Sequence, residues 1–146
     1  MRVSLSWFKA FCRLILTGQA MVLLCLADFL IRFIPFHIWR YAIGSNREAL
    51  NVPDGNQKFS KLARRLAAHV ERAALRLPFT TKCLPRAIAL AWMMRMRAIN
   101  YTLKLGVRPL AMRAGKDDLH AWVEFEGTPI IGDLPGPWIV FLAISR

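Results

Sequence analysis

The stretch Thr80-Thr81-Lys82-Cys83-Leu84-Pro85-Arg86-Ala87-Ile88-Ala89-Leu90-Ala91-Trp92 reads as the start of a helix that carries a cysteine in its first turn. Thr80 or Thr81 can cap it. Pro85 is tolerated because it falls where a backbone N–H would have no helical partner anyway. A helix start also presents unpaired N–H groups and the positive end of the dipole, a setting that favours thiolate over thiol. Downstream, Leu119-His120-Ala121-Trp122-Val123-Glu124-Phe125-Glu126 alternates as a strand does. Asp133 follows just past a second short strand, Thr128 to Ile131. A cysteine on a helix start with a histidine and an acid on strands is the layout of a thiol hydrolase.

Working back from that helix, Phe59, Leu62, Leu66, Val70, Ala73, Ala74 and Leu77 recur at helical spacing, with Lys58, Lys61, Arg65, Arg72 and Arg76 on the opposite face. Pro78 should end this helix. His69 lies at the edge of its apolar face and receives no role. Ile43 to Gln57 is rich in turn residues and reads as a hinge. Before it, Ser4 to Trp39 is dominated by Leu, Ile, Phe and Val, with a break at Pro35. Its least charged window, Leu14 to Ile31, has the length of a membrane span. Asp28 inside it and Gly18-Gln19 in its middle favour one or two helices packed on the rest of the protein over a spanning segment. Cys12 and Cys25 are expected there as small core residues. The resulting division is an apolar helical region over 1–42, a loop over 43–57 and a core over 58–146.

Working forward, the Cys83 helix should run to about Arg97. Tyr101 to Arg108 alternates as a strand, Pro109 to Asp118 is a polar connection containing Gly115, and a tight turn falls at Glu126-Gly127. No element is assigned after Asp133. Helices followed by antiparallel strands predict an α+β fold. In the His120 strand, Ala121, Val123 and Phe125 share the face expected to pack on a helix. His120, Trp122 and Glu124 share the other, polar face. His120 would take the Cys83 proton, and Asp133 would hold the ring in its productive tautomer, with Glu124 as the competing orienter.

The chain has 146 residues, 55% of them hydrophobic, and a formal net charge of +12, which excludes disorder and suits an acidic partner, a membrane surface or a nucleic acid. Basic residues without a recognised aromatic-interleaved motif argue against nucleic acid. Three dispersed cysteines make neither a disulfide framework nor a zinc site, so no metal is expected. The N-terminal apolar run is too long for a signal-peptide core and lacks a small-residue cleavage site, which points to a cytoplasmic protein with a peripheral membrane contact as the variant.

The segments Cys83 to Leu90, Leu105 to Arg108, His120 to Glu124 and Gly132-Asp133 together resemble the lasso peptide biosynthesis B2 proteins, over roughly the last two-thirds of the chain. These are transglutaminase-like, papain-related cysteine proteases that remove the leader from a lasso peptide precursor. The resemblance implies a transglutaminase-like core in which the Cys83 helix packs on a small antiparallel sheet, preceded by the apolar helices. It puts the nucleophile on Cys83, the general base on His120 and the orienting acid on Asp133. It also implies the precursor peptide as substrate, a separate leader-recognition protein, and an ATP-dependent cyclase that uses the freed core. No Gly-rich phosphate loop occurs in the sequence, so no cofactor is expected in this chain. A transglutaminase-like acyl transferase with the same three residues and a non-enzymatic basic membrane-associated binding module are the competing readings.

Overall fold

The computed structural model describes residues 2–44, 57–113 and 118–145; most of the hinge expected over 43–57 and residues 114–117 of the connection expected over 109–118 lie outside them, while Leu110–Met112 of that connection form a 3-10 turn. Four helices precede a four-stranded sheet. They are α1 (Arg2–Phe33), α2 (Phe36–Ile43), α3 (Gln57–Arg76) and α4 (Cys83–Arg95), followed by β1 (Thr102–Val107), β2 (Leu119–Phe125), β3 (Thr128–Ile131) and β4 (Ile139–Ser145). The α+β expectation holds.

Pro35 separates α1 from α2, since a proline offers no N–H and disfavours helix at the residue before it. Across this break Trp39 is buried and its Nε1–H donates to the Ile34 carbonyl at 3.1 Å. The α3 pattern is found as expected. Ala63, Leu66, Ala67, Val70, Ala73 and Ala74 are buried, the five basic residues are exposed, and the helix stops two residues before Pro78. In α4, by contrast, Ala87 to Ala91, Met93 and Met94 are all buried, so this helix is enclosed on every side. Its helix ends at Arg95, two residues short of the expected Arg97. Ala98 adopts a left-handed conformation (φ 55°), and the Ile99 N–H closes back on the Met94 carbonyl at 3.0 Å. Arg97 instead binds the Met93 carbonyl and the Gln19 Oε1, tying α4 to α1.

The sheet order is β3-β2-β1-β4, antiparallel throughout. Glu126 and Gly127 (φ 50° and 75°) form the two-residue turn between β2 and β3. The fourth strand has no counterpart in the sequence reading. Ile139-Val140-Phe141-Leu142-Ala143-Ile144 is a short apolar run without alternation, and periodicity alone does not distinguish strand from helix in such a run. Ala121, Val123 and Phe125 join one buried cluster with α4, α3, Leu103 of β1 and the inner residues of α1.

One other expectation is corrected, and His69, left without a role, gains one. Cys25 is exposed and Cys12 only half-buried, because both lie off the face of α1 that Thr17, Ala20, Leu24 and Ala27 turn to the core. His69 has a definite partner: it is buried, and its Nδ1 lies 2.9 Å from the Thr17 hydroxyl, joining α3 to α1. Burial, with Arg72, Arg65 and Arg13 adding to it, lowers the His69 pKa from 6.5 to about 4.

The unfolded chain therefore binds a proton at this residue more readily than the folded one. Stability should be full above pH 6.5 and fall as the pH drops towards 4, by on the order of 3 kcal/mol. Urea unfolding midpoints measured across that range should show the fall, and His69→Gln should flatten it.

Candidate active site

Cys83 opens α4 and is half-buried. Lys82 occupies the cap position without a side-chain hydrogen bond, so neither threonine caps the helix. Thr81 is turned inward, where its hydroxyl accepts from the Arg86 Nε–H at 3.0 Å. Arg86 also donates through Nη1 to Glu71 on α3 at 3.0 Å. This arginine, one turn into α4, thus braces the approach to Cys83 against both the preceding loop and α3.

A cleft of about 350 Å³ opens here. Cys83, His120 and Asp133 all border it, with Glu71, Arg86 and Gly132 among its other walls. The structure therefore brings the three sequence-derived residues to one cavity, on three elements that meet there: the start of α4, the first half of β2 and the loop after β3.

His120 is set more firmly than its sequence position suggested. It is buried, with only 6% of its surface exposed, and the face of β2 read as polar is covered. Trp122 stacks beside the imidazole with ring centres 5.8 Å apart, and Trp138 closes on it at 5.0 Å. The Arg108 guanidinium lies 5.0 Å from the Trp138 ring, in cation–π range. Gly106, opposite His120 in the β1–β2 register, makes room for this: a Cβ there would come within 2.9 Å of the Trp122 ring. A glycine inside an otherwise alternating strand was the available signal for such a close approach. Trp138 carried no comparable signal, because it arrives from a loop remote in sequence.

His120 Nε2 lies 2.5 Å from the Gly132 carbonyl oxygen. A carbonyl can only accept, so this contact requires the proton on Nε2 and leaves Nδ1 as the nitrogen with a free lone pair. Neither of the two acids considered from sequence makes this contact. Asp133 is exposed and has no hydrogen bond or ion pair among the described residues. Glu124 is buried, but its carboxylate accepts from Trp122 Nε1 at 2.9 Å and pairs with Lys104 Nζ at 2.7 Å. Asp133 nevertheless borders the cleft, next in sequence to the carbonyl that holds the ring.

A model of the transglutaminase-like superfamily matches residues 29–145. The chain belongs to that superfamily. Its members are generally cysteine-dependent enzymes and include both cysteine proteases and acyl transferases. The matched span takes in the cleft and all four strands, whereas most of α1 precedes it. No match was found among curated proteins or among solved structures. Among the described residues no group of His, Cys, Asp and Glu side chains is arranged to hold a metal ion.

Gly132 has φ 74°, and a Cβ on it would fall 2.6 Å from the Ala121 carbonyl oxygen. Gly132→Ala should therefore move the carbonyl off His120 and destabilise the fold by about 1–3 kcal/mol. Urea unfolding checks the second effect, and the alkylation rate of Cys83, followed by peptide mapping, checks the first. Gly127→Ala, also at positive φ but in open space, should leave that alkylation rate unchanged.

Proposed function

We propose that this transglutaminase-like protein is a cysteine peptidase that removes the leader from a lasso peptide precursor. The observation that carries the catalytic part is the meeting of Cys83, His120 and Asp133 around one cleft, with the imidazole fixed by the Gly132 carbonyl. The substrate class rests on the resemblance of the Cys83, Leu105 and His120 segments to the lasso B2 proteins.

In this reading the Cys83 Sγ attacks the carbonyl carbon at the leader–core junction as its proton passes to His120 Nδ1. The tetrahedral intermediate collapses with cleavage of the C–N bond, and His120 returns that proton to the leaving amine of the core peptide. The leader remains as a thioester on Cys83. A water molecule then attacks the thioester carbon and gives its proton to His120. The C–S bond breaks, the leader leaves as a carboxylic acid, and the thiol is restored. The Cys83 backbone N–H, at the open start of α4, is one donor for the oxyanion. Nε2 stays bonded to Gly132 through both halves, so the ring keeps one orientation. Asp133, exposed at the cleft mouth, acts on the charged imidazolium through space.

A leader-recognition protein and an ATP-dependent cyclase are the partners this reading requires. The net charge of +12 would favour encounter with an acidic leader or an acidic partner.

Incubation of a candidate precursor with the wild-type protein, with and without a leader-binding partner, should release a leader-sized fragment by mass spectrometry. Cys83→Ala should abolish release, and His120→Ala should lower it by about 10²-fold or more. Asp133→Asn should cost less than His120→Ala, because the Gly132 carbonyl still holds the ring. Transfer of the acyl group to an added amine with no hydrolysis would instead identify an acyl transferase.

A further inference from the structure

The outer face of α1 is the largest feature that the active site leaves unexplained. Ala20, Leu24 and Ala27 are fully buried, and Thr17 nearly so. Opposite them, at three- and four-residue spacing, stand Phe11 and Ile15 on one side of Gly18, and Val22, Leu26, Phe29 and Phe33 on the other. Each of these six is between 45% and 70% exposed. At 1.5 Å per residue the stripe is about 33 Å long, and no charged side chain interrupts it. Single exposed apolar residues on a protein surface need no explanation, but a continuous stripe of this size marks an interaction surface.

The residues around the stripe indicate what covers it. Asp28, the acid on this part of the helix, is paired with Arg32 at 2.6 Å, on the flank of the stripe. Arg13, by contrast, stands on the inner side of α1, four residues before Thr17 and close enough to act on His69. Past Pro35, exposed Arg40 lies 4.7 Å from the ring of exposed Tyr41 on α2. Trp7 is exposed at the other end of α1. An apolar face with Trp7 at one end, Arg32 on its flank and exposed Arg40 and Tyr41 just past Pro35, on a chain of net charge +12, is complementary to an anionic lipid surface. A second copy of the chain would bring a further net charge of +12 into the same complex.

Ala10–Phe33 is long and apolar enough to cross a bilayer. Crossing would strip the inner face of α1 from the core, break the Thr17–His69 contact and release Arg97 from Gln19. A helix lying along the membrane keeps all of these. We infer that the protein docks on anionic membranes through the outer stripe of α1, which lies in the plane of the interface while its inner face remains part of the protein core. This inference is independent of the reaction proposed for Cys83.

Co-sedimentation of the full-length protein with phosphatidylglycerol/phosphatidylcholine vesicles, against pure phosphatidylcholine vesicles, tests it. The expected result is binding at least tenfold stronger to the anionic vesicles and weakened severalfold by 0.5 M NaCl. Val22→Glu with Phe29→Glu should reduce vesicle binding tenfold or more without changing far-UV circular dichroism. Val22→Gln with Phe29→Gln, which adds no charge, should reduce it in the same direction and serves if the first variant does not fold. Three results would overturn the inference: no binding of folded protein to either vesicle, binding that neither double variant alters, or a dimer that these substitutions split in a protein that ignores vesicles.

Discussion

Enclosure of α4 between α1, α3 and the sheet is the contact on which the candidate site depends. Its run of Ala87, Ala89 and Ala91 beside Ile88, Leu90 and Met94 lets neighbours approach from every direction. Small and large residues interdigitate there, and the helix axis is fixed as a result. Its two ends reach the surface, and the first turn carries Cys83. The thiol is thus mounted at the end of a buried helix while bordering the cleft. Arg86, bonded to Thr81 and Glu71, fixes the remaining freedom of the loop that leads into the helix.

His120 is positioned by a different kind of support. Tryptophans flank its ring, a carbonyl holds one nitrogen, and the sheet register places it across from a glycine. These supports converge from β1, β2, the loop after β3 and the approach to β4. A main-chain carbonyl is an acceptor at any pH, so the tautomer of the ring does not depend on the ionisation of a neighbouring acid. Asp133 borders the cleft without taking part in that hold.

Much of this was legible in the sequence where a local rule and the tertiary structure agree. The apolar stripe of α3, the stop before Pro78, the helix start at Cys83 and the Glu126-Gly127 turn all follow from backbone chemistry within a few residues. Alternation in β2 correctly separated Ala121 and Val123 from His120 and Glu124. It could not show that the second face is also covered, because the covering residue, Trp138, lies in another segment. The expected threonine cap failed for a related reason: Arg86 competes for the Thr81 hydroxyl, and its partner Glu71 sits on a separate helix. Pattern also left β4 undefined, since an unbroken apolar run fits either kind of element.

The contacts of α1 carry a consequence for how the chain is made. Thr17 meets His69, and Gln19 meets Arg97, across separations of 52 and 78 residues. Synthesis at about 5–20 residues per second leaves about 4–16 s between the emergence of Gln19 and that of Arg97, the later of the two partners. Throughout that interval the apolar residues of both its inner and its outer face lack their cover. Nascent α1 is therefore the segment most exposed to capture by a chaperone, and the late arrival of α4 sets the moment at which half of that surface is withdrawn from water.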